Sequence, residues 1–499
     1  MPTPDNKKMD VYSAVRWSAV SKYGAQGVHV VVSLVLARLL APEYFGLLGM
    51  ATVITGFVKV FKNLGFNTAI VQRKTTGPDL LSTLFWVNLA VCLVVAGVVA
   101  GIAPLAASMY QDPRVAPIVA VLAVNFVMAG FTMIPTALLT RQMAFHKLAV
   151  REIAGIAVDG TTSIALALCG WGVWALVAGT LAGHAAQMVL INLVCPFRPR
   201  LAFDKQGLKQ CLGFGLNLTG FNIFNYFARH ADNLIIGIFL GPVALGYYAL
   251  AYKLMLLPRN SITNVVTRVL LPTFSRMQDD DERLAKAYLR TCGAIAFVTF
   301  PMMAGLAVVA RPFVEVVLGE KWLPAVPLIW ILAPIGAIQS VGSTQGQLFL
   351  AKGRTGWMFL WNILTSALKV LSFLVGVRWG VLGVAASYAL VSVLLVPANF
   401  WVVFRLVHAL TLSRLLRVLT PYTTMSATMT LIVLGCHVLI TRLSISLGIG
   451  LLISVCVGAV TYTVLAFIGR PQGFVHLAQL LPVRALPLHL GRLCPRILR

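Results

Sequence analysis

The sequence predicts an all-α polytopic membrane protein with about 14 transmembrane helices. They fall into two parallel six-helix bundles and two extra C-terminal helices. Three observations carry this reading: continuous apolar runs, basic loops that alternate along the chain, and an internal repeat. Of 499 residues, 59% are apolar and 11% charged, and the mean hydropathy is +0.87. A water-soluble fold could not bury that much apolar surface, so a soluble enzyme, a disordered chain and a disulfide scaffold are excluded. A transmembrane barrel would show short alternating strands instead.

The expected spans lie near 17–37, 44–64, 82–108, 115–138, 148–168, 173–195, 213–239, 244–267, 287–310, 323–345, 357–377, 381–404, 416–439 and 446–468. The polar first 16 residues and the lack of a small-residue cleavage site make the first run a combined signal and span. The net charge of +25 would suggest nucleic acid in a soluble chain. Here it reads as the bias of basic residues toward cytoplasmic loops. With the N-terminus inside, 27 Lys and Arg fall on the inner side, Arg141, Lys147 and Arg151 among them, and six on the outer side. An even number of spans puts both termini in the cytoplasm. The inner loop 268–286, with Asp279-Asp280-Asp281-Glu282, is the longest expected.

Leu40-Ala41-Pro42 with Gly46 matches Leu240-Gly241-Pro242 with Gly246; Ala116-Pro117-Ile118 matches Val326-Pro327-Leu328; Trp171-Gly172-Val173 matches Trp379-Gly380-Val381. The offsets are 200 to 210 residues, so six spans separate the copies and the two halves point the same way through the membrane. The expected division is 1–196 for the first bundle, 197–410 for the second, 411–470 for two further helices and 471–499 for a basic cytoplasmic tail. Such an architecture suits rocking about a central cavity.

No GxxxxGK[ST] motif is present, so no ATPase is expected. The eight cysteines show neither CxxC spacing nor a histidine cluster, and no metal or other cofactor is expected. Charges within the spans are the candidate sites, because each costs at least about 2.5 kcal/mol at bilayer depth. Lys22 and Lys59 lie near span ends, where snorkelling is the plainer reading. In the seventh span Asn222, Asn225, Arg229, Asp232 and Asn233 recur every three or four residues as one polar stripe, which reads as a cavity wall or as an Arg229–Asp232 pair. Lys253 lies ten residues past the turn at Gly241–Pro242, roughly 15 Å deep, where it either pairs with Asp232 or faces a cavity and an anion. Arg259 follows Pro258, which should break or kink its helix. Asp159 and Lys369 hold equivalent places in the two repeats and could pair across the bundles as a gate. Asp159 or His184 could instead carry a coupling proton. Pro104, Pro135, Pro258, Pro301, Pro334 and Pro397 would bend their helices.

Leu39-Leu40-Ala41-Pro42-Glu43-Tyr44-Phe45-Gly46, Leu64-Gly65-Phe66 and Ile70-Val71-Gln72-Arg73-Lys74 resemble the N-terminal signature of Wzx-type polysaccharide flippases. Asp232-Asn233-Leu234-Ile235-Ile236-Gly237, Leu240-Gly241-Pro242, Leu245-Gly246-Tyr247-Tyr248, Ala251-Tyr252 and Leu271-Pro272-Thr273-Phe274-Ser275-Arg276 resemble its second-half signature. The resemblance covers about 10–410 and is nearest to exporters of colanic-acid-like and xanthan-like polymers, within the multidrug, oligosaccharidyl-lipid and polysaccharide exporter superfamily. It implies a non-enzymatic flippase of the bacterial inner membrane that moves an undecaprenyl-pyrophosphate-linked oligosaccharide repeat unit from inner to outer leaflet for exopolysaccharide biosynthesis. In that picture Lys253, Arg229 and Arg259 line a cationic cavity, with Asn222 and Asn225 beside them and Lys22 and Lys59 nearer its inner mouth. Asp232, Asp159 and Lys369 would couple or gate. Partners would be membrane lipids and the polysaccharide polymerase and export machinery, with no nucleic acid. The alternative is a multidrug or cation antiporter of the related branch, which should need acidic residues in the first bundle; spans 1 and 2 have none. A membrane glycosyltransferase or ligase would need a large outer loop that the sequence lacks.

Overall fold

The computed structural model describes residues 24–62, 70 and 77–469, with the side chains of 57–62, 206–225, 227–228 and 260–269 outside that set. The expected tail 471–499 and the start of the first span therefore lie outside the described residues. Every described element is helical, and among the described residues nine helical stretches are long and apolar enough to cross a membrane. The protein is an all-α, multi-pass membrane protein. Lipid offers no hydrogen bonds, so each segment satisfies its backbone within itself.

Two compact units divide at Ala249/Leu250. Unit 1 contains α1 (Gly24–Leu39), α2 (Pro42–Lys62), α3 (Pro78–Tyr110), α4 (Val115–Arg141), α5 (Phe145–Leu168), α6 (Val173–Val194) and α7 (205–240). Gly241, at φ 79°, breaks the helical run and starts α8 (242–275), within which the unit boundary falls. Unit 2 continues with α9 (Asp281–Val308), α10 (Val326–Gly342), α11 (Thr355–Gly376), α12 (Gly380–Leu406), α13 (Leu412–Arg442) and α14 (Leu447–Gly469).

Small residues set the packing in unit 1. An added Cβ at Gly46 would stand 1.7 Å from the Pro242 carbonyl oxygen, and one at Gly246 would stand 2.0 Å from that of Pro42. The two copies of the Pro-x-x-x-Gly turn thus cross reciprocally, each glycine lying on the other's proline backbone. Only a missing side chain permits that approach. The other repeated turn is also backbone-driven: Gly172 and Gly380 both hold positive φ, 56° and 72°, so each repeat needs a glycine there. The α5–α6 hairpin closes through Gly179 and Gly183, whose faces lie against Ser163 and Asp159. The outer faces carry exposed Val94, Leu105 and Leu193 in unit 1 and Leu360, Leu394, Leu431 and Ile468 in unit 2, as lipid contact requires.

One correction concerns the acidic loop, and the break expected at Pro258 does not occur. Helical dihedrals run through Pro258 without a break, and Pro104, Pro135, Pro301, Pro334 and Pro397 also lie inside helices. A proline leaves the carbonyl four residues earlier without its helical donor, and a neighbour supplies one at two of these sites. Tyr462 Oη donates to the Phe297 carbonyl at 2.7 Å, below Pro301, and Asn192 Nδ2 donates to the Phe131 carbonyl at 3.5 Å, below Pro135. The loop expected at 268–286 is a short turn, because α8 continues to Ser275 and α9 starts at Asp281. The acidic run terminates it: Asp280 caps α9 by accepting the Arg283 amide at 3.0 Å. Asp281 accepts from Lys352 Nζ at 2.7 Å and from the His408 amide at 3.0 Å, while Glu282 pairs with Arg414 at 3.0 Å. Three connecting segments of unit 2 are fastened together by two carboxylates.

In unit 1 the turn before α4 is tied to the first turn of α2. Arg114 pairs with Glu43 at 2.6 Å and with Asp112 at 2.8 Å. The Arg114 guanidinium, bonded to Asp112, holds that carboxyl below its ordinary 3.8. A depressed acid contributes stability above its unfolded pKa and loses it as pH falls through the folded value. Thermal unfolding in detergent between pH 6 and pH 3 should therefore show a smaller acid loss for Asp112→Asn than for the parent chain; equal losses would contradict the ion pair. Gly246→Ala should lower stability by about 1–3 kcal/mol through overpacking. Gly97→Ala in α3, with open space around it, should be neutral or stabilising.

Candidate functional site

The polar residues that the helices hold at membrane depth form separate groups in the two units. In unit 1 the centre is Asp232, 3% exposed. α7 positions it, and Tyr248 on α8 donates its hydroxyl to Oδ2 at 3.0 Å. The Asn233 amide donates to Oδ1 at 2.8 Å. These two donors satisfy the carboxylate without a cation. Asn233 Oδ1 beside it is buried and has no hydrogen-bond partner. Arg229, one turn earlier, is exposed, and among the described residues no ion pair joins it to Asp232. The i,i+3 spacing allowed such a pair, but burial of one group and exposure of the other separate them. α7 leans on α2 through Tyr226, whose Oη donates to the Val53 carbonyl at 2.7 Å and whose ring lies 4.4 Å from that of His230.

Asp159 on α5 is half-buried and accepts from Ser163 Oγ at 3.1 Å, with the bare faces of Gly179 and Gly183 against it. His184 Nδ1 lies 2.9 Å from the Thr180 carbonyl. Lys22 lies outside the described residues. Lys59, Asn222 and Asn225 lie on described helices, but their side chains are outside the described set.

Unit 2 brings together two residues that the sequence assigned to different roles. Arg259 on α8 and Lys369 on α11 are both half-buried and close enough to feel each other's charge. Arg259 Nη1 donates to Gln339 Oε1 at 3.5 Å, and its Nε is buried without a hydrogen-bond partner. Gln339 in turn donates to Tyr388 Oη at 2.5 Å, and the Tyr388 ring lies 6.4 Å from Tyr252. Among the described residues neither cation makes an ion pair. Lys253, one face over on α8, is half-buried and engaged with a partner of its own. Gln339 and Tyr388 escaped the sequence reading because neutral polar side chains in an apolar run carry no distinguishing pattern. Arg151 escaped for another reason: its position near a span end grouped it with the loop cations, whereas the structure places it two turns inside α5, half-buried. No group of three or more metal-ligating side chains occurs among the described residues.

Chemically, the unit 2 group offers cations and neutral amide and hydroxyl partners. A polysaccharide biosynthesis protein family matches residues 35–327, more than half of the chain. The teichuronic acid biosynthesis protein TuaB of Bacillus subtilis is 29% identical over 93% of this chain and 96% of its own. The lipopolysaccharide biosynthesis protein WzxC of Escherichia coli is 28% identical over 79% and 80%. The succinoglycan biosynthesis transport protein ExoT of Rhizobium meliloti is 27% identical over 81% and 82%. Among solved structures, the lipid II flippase MurJ in an inward closed conformation superposes with a TM-score of 0.72 at 13% identity, covering 90% of this chain and 98% of that one. An inward-facing multidrug resistance MATE transporter gives 0.64 at 15% identity, covering 78% and 98%. These likenesses describe the fold. The family model, over more than half of the chain, shows that this chain belongs to the polysaccharide biosynthesis protein family, with motifs at 39–46 and 232–252 that resemble those of Wzx-type members.

Proposed function

We propose that this protein is a flippase that carries an undecaprenyl-pyrophosphate-linked oligosaccharide repeat unit from the inner to the outer leaflet of the bacterial inner membrane for exopolysaccharide biosynthesis. The observation that carries the reading is the Arg259–Lys369 group. Two mutually repelling cations at membrane depth, one with an unpartnered Nε, suit an anionic headgroup and reject a cationic drug. A guanidinium can hold a phosphate oxygen pair bidentately, while an ammonium adds a compact point charge. The pyrophosphate and its sugars cannot enter about 30 Å of hydrocarbon unaided. The polyprenyl tail is already soluble in lipid, so only the head needs a path.

Transport would proceed by alternating access of the bundles 1–196 and 197–410, with helices 411–470 appended and both termini cytoplasmic. Lys253, Arg229, Asn222 and Asn225 would extend the polar lining, Lys22 and Lys59 would stand at its inner mouth, and Asp232 and Asp159 would couple or gate. The names of the relatives, which concern teichuronic acid, lipopolysaccharide and succinoglycan, support a glycan substrate. A polymerase and export machinery would take the product.

A deletion strain should accumulate the lipid-linked repeat unit on the inner leaflet and lose surface polymer; normal delivery to the outer leaflet would end the proposal. In the complemented strain, Arg259→Gln, Lys369→Gln and Lys253→Ala should each cut polymer output at least tenfold with unchanged protein in the membrane. Polymer at parental level from a variant would remove that residue from the path.

A further inference from the structure

The first unit holds a second cationic group that the resemblance does not assign. Arg151 lies on α5 with Lys147 one turn before it, both half-buried. Positions 147, 151, 155 and 159 share one helical face. Gly155 and Asp159 on that face lie against Gln187 and Gly183 of α6, and Arg151 reaches α4 from it, with Lys147 on the same face. Like charges at i,i+4 destabilise a helix, and among the described residues neither forms an ion pair. Glu152, the acid nearest in sequence, is exposed and acts on Arg151 only through its charge.

What Arg151 does have is a threonine. Its Nη1 donates to Thr136 Oγ1 at 2.8 Å. Thr136 spends its own proton on the Thr132 carbonyl at 2.6 Å, so it serves the guanidinium strictly as acceptor. This fixes one corner of the fork. Nε is buried with no hydrogen-bond partner, and a buried unpaired donor is costly. Thr132, Thr136 and Thr140 recur every four residues on α4, all half-buried, and extend a polar strip past the guanidinium. A planar fork pinned at one nitrogen, orphaned at another and accompanied by a second cation matches the oxygens of a phosphate group.

We propose that Arg151, Lys147 and Thr136 form a phosphate-binding site at the basic-loop end of unit 1, with Arg151 and Lys147 as ligands and Thr136 as the positioning residue. Resting on the flippase reading, it would receive the phosphorylated headgroup before the cations of unit 2 do. Arg151 lies six residues past the start of α5, beside the loops whose positive charge assigns them to the cytoplasm.

The test uses the purified full chain and measures its thermal stabilisation by inorganic pyrophosphate. Arg151→Gln should weaken the apparent affinity at least tenfold and Lys147→Gln severalfold. Thr136→Val should weaken it severalfold, while Thr136→Ser, which keeps the acceptor, should restore it. Two further arms identify the source of the phosphate. Competition by geranyl pyrophosphate alone assigns the site to a prenyl pyrophosphate headgroup. Competition by nanodiscs of phosphatidylglycerol, and not of phosphatidylcholine, assigns it to an anionic bilayer lipid. Parental affinity in both Arg151→Gln and Lys147→Gln, or no stabilisation of the parent chain by pyrophosphate, would overturn the site. Neither result touches the deletion phenotype, so the flippase reading stands or falls separately.

Discussion

Much of this architecture depends on a place where two backbones touch. The turn at Pro42–Gly46 and its copy at Pro242–Gly246 lie across one another, each glycine against the other's proline carbonyl. In water, apolar burial could hold such a crossing together. In a bilayer the surrounding lipid is as apolar as the side chains, so association relies on close van der Waals approach, which small residues allow. The internal repeat is therefore more than a trace of duplication. Its glycines are used twice, once from each copy, at the same contact.

Once the helices are packed by small residues and coated with exposed Leu, Val and Ile, every remaining polar side chain carries information. Asp232 is satisfied by a tyrosine hydroxyl and a backbone amide, and so can remain buried without a counter-ion. Arg259 and Arg151 differ. Each has one neutral partner and one buried nitrogen without any. Hydrocarbon punishes that arrangement more than water would, which sets the two guanidinium groups apart among the described cations. Each takes a neutral acceptor, Gln339 or Thr136, rather than a carboxylate.

The sequence made the fold class legible because membrane insertion writes itself into composition: apolar runs, basic loops and punctuating glycines are local signals. Family membership was legible in the segments 39–46 and 232–252. The site was only partly so. Lys253, Arg259 and Lys369 stood out as charges in apolar runs, but their grouping depends on which helices are neighbours, and spacing along one helix says nothing of that. The Arg229–Asp232 pair looked plausible from spacing, but among the described residues no such ion pair forms, Asp232 being buried and Arg229 exposed. Arg151 was counted with the loops because a helix boundary was drawn three residues late, and near a membrane surface three residues separate a solvated cation from a buried one. The acidic run at 279–282 read as a loop, whereas its carboxylates cap and fasten helix ends.

The hydroxyl of Tyr462 offers a last consequence. It occupies the acceptor that Pro301 leaves idle on α9, so the terminal hairpin of α13 and α14 is latched to that helix by a hydrogen bond and not merely laid against it. Were α9 to straighten or rotate there, the latch would have to let go or the hairpin would have to follow. An appended pair of helices fixed in this way would have to travel with α9.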